Sequence, residues 1–323
     1  MTLRHLYILC FFIILNSHAC PPAIWTAMIG FPEAEVLSEN TVRIPFQLAD
    51  HLIILKGSIN GQQGNLILDT GSKNLVINKN HFKQRHTQIK QGVGYSVTGS
   101  LQSVSAQRIE SFNFNSFEIP YKLGDLLDLS HIEKNKKLKI LGVMGKSVLY
   151  DFEIYIDFYL KQVTLFRTDN VGNRIDDHFF IDTPTAEIPF LDHGHCIVLN
   201  TTLGTTPLKM ALDTGAEINF LDSDISGEAL KKFRGIKRIK LRGMGHKKSE
   251  MLAGRLYDLR LDDSYPIGVM RTILADLSDM KEAYGTRVDG VLGYDFIAMK
   301  RLLINYKKKL ITFVKLPYKT TRT

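Results

Sequence analysis

The sequence predicts a mainly β protein with short helices, organised as two similar lobes. Three observations predict it. Strand-like apolar runs outnumber helical patterns, one order of elements is written twice, and each copy carries Asp-Thr-Gly behind an apolar run. Ile44-Pro45-Phe46 returns as Ile188-Pro189-Phe190, and Asp69 returns as Asp213, both at a spacing of 144 residues. The 323 residues are 44% hydrophobic and 23% charged, enough for two cores of ordinary size.

At the N-terminus, Arg4 and His5 precede an apolar run from Leu6 to Leu15, and Ser17-His18-Ala19 fits the small-x-small cleavage rule. Residues 1–19 are therefore expected to be a signal peptide, placing the mature chain in the periplasm, on the outer surface or in the medium. The run is too short to span a bilayer, and no later segment reads as transmembrane. Cleavage leaves Cys20 first, which raises a lipoprotein reading with an acylated cysteine. Against that anchor, Ser17 stands where such signals normally carry Leu. Cys20 and Cys196 could form one disulfide, or Cys196 could be free and buried.

Residues 20–40, with Pro21, Pro22, Trp25 and Pro32, read as an N-terminal tether or an added edge strand. The first lobe is expected over 41–168. Its strands lie around Ile44, Leu52–Leu55 and Gly57–Ile59, an Asn60-Gly61 turn follows, and a strand Leu66–Leu68 delivers Asp69. Further on come a glycine-rich hairpin tip at Gly92-Val93-Gly94-Tyr95, the apolar stretch Ile140–Gly145, a helical turn at Ser147–Leu149 and a strand Val163–Phe166. The polar span 169–185 is the expected linker. The second lobe, 186–317, repeats the order: Cys196–Leu199, a turn near Gly204, Met210–Asp213, a glycine tip at Gly243-Met244-Gly245-His246, Val288–Gly293, a turn at Asp295–Ile297 and a strand Leu310–Phe313. Residues 318–323 form a tail.

One Asp-Thr-Gly is an ordinary turn. Two of them in register put two carboxylates on matching turns, where glycine supplies backbone freedom and the neighbouring hydroxyls can hold the turn. Asp69 and Asp213 are thus the candidate catalytic pair, with Thr70, Gly71, Ser72, Thr214, Gly215 and Ala216 supporting the turns. Ser72 carries a hydroxyl able to bond Asp69, whereas Ala216 cannot do so for Asp213. That asymmetry predicts a pair titrating higher than one with hydroxyls on both sides. Gly92, Gly94, Tyr95, Gly243 and Gly245 are candidate flap residues.

Other chemistries find little footing. Lys+Arg 41 against Asp+Glu 33 gives a net charge of +8, clustered at Lys134 to Lys139, Lys231 to Lys240 and Lys307 to Lys309. With no nucleic-acid module beside them, these read as solvated surface. His193-Gly194-His195 lacks the further ligands of a metal site and reads as a solvated turn. No metal and no cofactor are expected, and no serine or cysteine sits in a nucleophile motif.

Asp69-Thr70-Gly71-Ser72, Asp213-Thr214-Gly215-Ala216, Val143-Met144-Gly145 and Val291-Leu292-Gly293 resemble the motifs of pepsin-like and retropepsin-like aspartic proteases. The resemblance covers about residues 41–317. With a glycine tip after each aspartate, it looks more like two fused retropepsin lobes than like pepsin. It implies two acid-protease lobes with an active-site cleft between them, a six-stranded inter-lobe region, and Thr70 and Thr214 bracing the active turns. It further implies a flapped cleft for an extended peptide and a monomer sufficient for activity. Lys146-Ser147 and Tyr294-Asp295 replace the Arg-Asp or Arg-Asn common in viral enzymes, which puts their lobe-interface salt bridges in question. The function implied is an aspartic endopeptidase acting on peptides or proteins. The alternatives are a peptide-binding scaffold without turnover and a narrow processing protease for one partner.

Overall fold

The computed structural model describes residues 32–82, 88–90, 105–120, 123–179, 181–193, 195–242 and 248–317. The architecture lies within the compact unit Glu33–Thr323. It is mainly β, in two large sheets with a few short helices.

Leu52–Ile59 and Gln62–Leu68 form a hairpin around Asn60 and Gly61. The two turn residues have φ of 48° and 76°, the left-handed pair that a tight two-residue connection demands. Gln62–Leu68 then runs parallel to Ile140–Met144, with Leu66, Ile67 and Leu68 opposite Gly142, Val143 and Met144. A strand flanked in this way is covered on both faces, which is why both segments read as continuous apolar runs. Leu66 and Leu68 are fully buried, each contributing roughly 1.5–3 kcal/mol.

The sheet order of the first half is Leu52–Ile59, Gln62–Leu68, Ile140–Met144, Val76–Asn78, Leu123–Leu127, Ser105–Arg108, Gln88–Lys90. The second half runs Cys196–Leu203, Thr206–Leu212, Gly290–Leu292, Asn219–Asp222, Met270–Ala275, Lys248–Leu256, Phe233–Arg242, the same sequence of roles. Four extra residues enter between the aspartate and the apolar-apolar-Gly strand of the second copy. The offset therefore grows from 144 at Asp213 to 148 at Gly293.

Six strands join the halves in the order Pro184–Pro189, Leu310–Val314, Arg301–Asn305, Phe152–Asp157, Gln162–Arg167, Thr41–Ala49, all antiparallel. The order is palindromic. Its centre is the pair Tyr155 and Leu303, with Glu153 opposite Asn305 and Asp157 opposite Arg301. A 148-residue shift exchanges those two outer pairs, so a local two-fold passes between Tyr155 and Leu303. Asp157 and Arg301 are buried there, Arg301 Nε donating to Asp157 Oδ2 at 2.9 Å. Arg301 Nη1 also donates to Asp182 Oδ2 at 2.6 Å and to the Lys315 carbonyl at 2.7 Å.

Several local readings gain detail. Of residues 20–40, Glu35–Val36 pairs with Val42 and Arg43, so this part of the segment is an edge strand. Polar residues of the 169–185 span are pinned to the body: Thr41 Oγ1 donates to Asp176 Oδ2 at 2.7 Å, Ser38 donates to the same oxygen, and Arg174 pairs with Glu153. The basic clusters are only partly solvated. Lys136 and Lys307 keep their ammonium groups in ion pairs with side chains about 10% and 9% exposed. Two helices, Ser130–Lys136 and Ser278–Tyr284, were not signalled by any apolar stripe.

Candidate active site

The two Asp-Thr-Gly turns meet. The Asp69 N–H donates to the Met144 carbonyl at 3.1 Å, and the Asp213 N–H donates to the Leu292 carbonyl at 3.0 Å. Each aspartate is thus held by the apolar-apolar-Gly strand beside it, which is what those strands do for the site. After each strand the chain bends into a short helix, Lys146–Leu149 or Tyr294–Ile297. Its first N–H returns to the active turn: Lys146 to the Ser72 carbonyl, Tyr294 to the Ala216 carbonyl, both at 2.9 Å.

Thr70 and Thr214 lock the turns together. The Thr70 N–H donates to Thr214 Oγ1 and the Thr214 N–H donates to Thr70 Oγ1, each at 3.0 Å. Each hydroxyl then crosses to the opposite strand, Thr70 to the Leu212 carbonyl at 3.2 Å and Thr214 to the Leu68 carbonyl at 2.8 Å. Both residues are buried, so four bonds that water cannot replace fix the distance between the turns.

Gly71 and Gly215 have a steric reason to be glycine. A Cβ on Gly71 would lie 2.5 Å from Asp213 Oδ2, and one on Gly215 would lie 2.5 Å from Asp69 Cγ. Each carboxyl group therefore rests against the backbone of the opposite turn. Asp69 Oδ1 accepts the N–H groups of Gly71 and Ser72 at 2.9 and 3.1 Å, and Asp213 Oδ1 accepts the Gly215 N–H at 2.7 Å. Burial pushes Asp69 well above the usual carboxylate range, and the charge and hydrogen bonding of Asp213 push the same way against the two turn N–H groups.

The hydroxyl asymmetry expected from the sequence is reversed. Ser72 Oγ donates to the Asn74 carbonyl at 3.2 Å, because the turn aims it along its own chain, and only its N–H serves Asp69. Asp213, beside Ala216, is the one that receives a hydroxyl: Tyr284 donates to its Oδ2 at 2.7 Å. Tyr284 ends the helix Ser278–Tyr284 and is buried with Cys196, Val198, Ala211, Val288 and Val291. Sequence reading missed it, because a tyrosine 71 residues from Asp213 on an unmarked helix carries no local signal. Asp276-Leu277-Ser278, whose Asp276 side chain accepts the Ser278 N–H at 2.9 Å, marks where the helix begins but not where Tyr284 points.

The two halves also touch across the site by different chemistries. Lys146 pairs with Asp192 at 2.6 Å, an ion pair of the first half with the second. At the equivalent place Tyr294 stacks on His51, ring centroids 4.1 Å apart, and His51 Nδ1 lies 2.7 Å from the Glu217 carbonyl. Lys136 bridges Asp50 at 2.6 Å and Glu217 at 2.5 Å. His195 lies in the turn but is only partly exposed. It packs edge-on against Tyr284 at 6.3 Å, and burial, then the Lys73 and Lys146 charges, lower its pKa from the ordinary value. Cys196 is free and buried. Gly92, Gly94, Tyr95, Gly243 and Gly245 lie outside the described residues; the arms leading to them pair as hairpins, Gln88–Lys90 with Ser105–Arg108 and Phe233–Arg242 with Lys248–Leu256. Among the described residues no group of three or more His, Cys, Asp or Glu side chains converges as metal ligands.

No family model matches the sequence, and no curated protein matches it. Among solved structures, the chain is similar to the aspartic proteinase from Irpex lacteus, with 12% sequence identity, 87% of this chain and 99% of that chain covered, and a TM-score of 0.49.

Proposed function

We propose that this chain is an aspartic endopeptidase in which Asp69 and Asp213 activate one water molecule for attack on a peptide bond. The observation that carries the reading is the reciprocal threonine lock, which presses each carboxyl group against the opposite turn. Two carboxyl groups this close share a proton, the property on which such hydrolysis rests. The ionised member takes a proton from the attacking water while the protonated member gives one to the carbonyl oxygen, leaving a neutral gem-diol. The gem-diol then collapses: the C–N bond breaks, the amine nitrogen takes the proton held by the base, and a hydroxyl proton returns to the acid. Neither carboxyl group is consumed.

The substrate class is a peptide or protein, met outside the cytoplasm if residues 1–19 direct export. The test is digestion of a mixed peptide library across pH 3 to 8, with and without a statine-type inhibitor. Turnover blocked by the inhibitor is expected, and Asp69→Asn and Asp213→Asn should each lower kcat/KM by at least about 10³-fold. Tight peptide binding with no cleavage by the wild type would instead identify a scaffold, and cleavage of one sequence alone a narrow processing enzyme.

A further inference from the structure

The two carboxyl groups stand in unlike surroundings, and the difference assigns their roles. Among the described residues, Asp69 takes both of its backbone donors on Oδ1. Asp213 takes one donor on each oxygen, the Gly215 N–H on Oδ1 and the Tyr284 hydroxyl on Oδ2. A carboxyl proton needs an oxygen lone pair not already engaged by a donor. Among the described residues Asp69 keeps one oxygen, Oδ2, that accepts no backbone or hydroxyl donor, whereas each Asp213 oxygen already has one lone pair engaged and only one left for a proton.

The phenol bond is charge-assisted when Asp213 is ionised, and the apolar cluster around Tyr284 strengthens it. Among the described residues, the first half offers no counterpart at the equivalent helix end. Lys136 occupies the place of Tyr284 at the end of the equivalent helix, and its ammonium group goes to Asp50 and Glu217. Resting on the endopeptidase reading above, we propose that Tyr284 is a positioning residue that fixes Asp213 as the ionised base and leaves the shared proton on Asp69, the acid that protonates the carbonyl.

Other titratable groups face the pair. Cys196 lies beside it on the strand Cys196–Leu203, its thiol pushed up by burial and then by the two aspartates, and so stays neutral. Tyr306 is fully buried and raised well above its ordinary range, by burial first. His195 rests on the Tyr284 ring, with Lys73 and Lys146 acting on it, and Asp192 is held by Lys146. Because ionisable side chains other than the two aspartates surround the pair, the readout must follow the carboxyl carbons of Asp69 and Asp213 themselves.

The experiment is a pH titration of the aspartate carboxyl carbons by NMR on ¹³C-labelled protein, with Asp69→Asn and Asp213→Asn assigning the two signals. It needs no substrate, so absence of turnover, which would sink the endopeptidase reading, leaves this measurement intact. Asp213 is expected to lose its proton at the lower pH. Tyr284→Phe, which keeps the ring and removes only the hydroxyl, should raise that lower titration by about one pH unit. The acidic limb of the kcat/KM profile should move up with it. Asp69 titrating first, or a Tyr284→Phe protein whose lower titration stays in place, overturns the proposal. Should Tyr284→Phe not fold, the order of titration in the wild type decides alone.

Discussion

The helices Ser130–Lys136 and Ser278–Tyr284 are one element built twice, and their last residues do different things. Both follow an aspartate whose side chain accepts the N–H of the first helical serine, at 2.9 Å in each case. Both end in a left-handed residue, Lys137 or Gly285. Yet Lys136 reaches across to Glu217 beside the second active turn, while Tyr284 reaches the second aspartate itself. The same division recurs where the halves touch: an ion pair at Lys146 and Asp192, an aromatic stack at Tyr294 and His51. The two halves share the backbone that brings two carboxyl groups together and differ in the side chains around them. A pair of identical groups thereby stands in a field that is not symmetric.

The sharpest way to break this comparison lies at the local two-fold. Asp157 and Arg301 form a buried ion pair on one side of it. On the other side the exchanged positions hold Glu153 and Asn305, with Asn305 Nδ2 donating to Glu153 Oε1 at 3.1 Å. Removing one member of a buried ion pair leaves an uncompensated charge. Arg301→Ala strands the fully buried Asp157 and should therefore cost about 3–5 kcal/mol, whereas Asp157→Ala leaves Arg301 paired with Asp182 and should cost less. Asn305→Ala removes a hydrogen-bond donor without stranding a charge of its own pair and should cost about 1–3 kcal/mol. Urea unfolding of the three variants checks the ranking; equal losses would mean that the two sides are energetically alike.

The threonine lock is the feature expected to be symmetric. Thr70→Ala and Thr214→Ala each strand the opposite turn's buried N–H, so each should cost about 1–3 kcal/mol, in equal measure. In the double variant the losses should fall short of additivity by about 0.5–3 kcal/mol, because the residues share one network. Denaturant melts of the singles and the double read both points. Unequal singles would show that the asymmetry of the site begins in the lock itself.

What the sequence made legible follows the physics of each feature. The buried parallel strands were readable because burial on both faces forces continuous apolar runs, as at Leu66–Leu68 and Ile140–Met144. The Asn60-Gly61 turn was readable because its left-handed backbone restricts the residues allowed. The family resemblance implied only that Thr70 and Thr214 brace the turns; the reciprocal form, each N–H on the other's hydroxyl, is a property of the folded pair. Tyr284 was not readable: a hydroxyl bond spanning 71 residues depends on how a helix is docked, which no local pattern records. Ser72 misled for a related reason, since an adjacent hydroxyl has several acceptors and the turn angle chooses the Asn74 carbonyl. Lys136 sat in a run of lysines that looks like solvated surface until the helix turns one of them inward.

The smallest expected effect concerns pH and bears on which carboxyl group holds the proton. Asp69 in the folded protein titrates above its unfolded value, chiefly through burial. Below the unfolded carboxylate pKa, near 4, both states are protonated and Asp69 contributes its full share of stability. Between that pH and the folded pKa the unfolded chain has released a proton that the native state still holds, so stability falls as pH rises. Asp69→Asn cannot ionise and escapes that fall. The variant should match the wild type near pH 3 and become the more stable of the two toward pH 7, by about 1.4 kcal/mol for each pH unit by which Asp69 is raised. Melting temperatures of both proteins across that range read the difference directly. A gap that stays constant with pH would mean that Asp69 carries no excess proton in the folded state, and the unlike surroundings of the two aspartates would then have no consequence for where the proton rests.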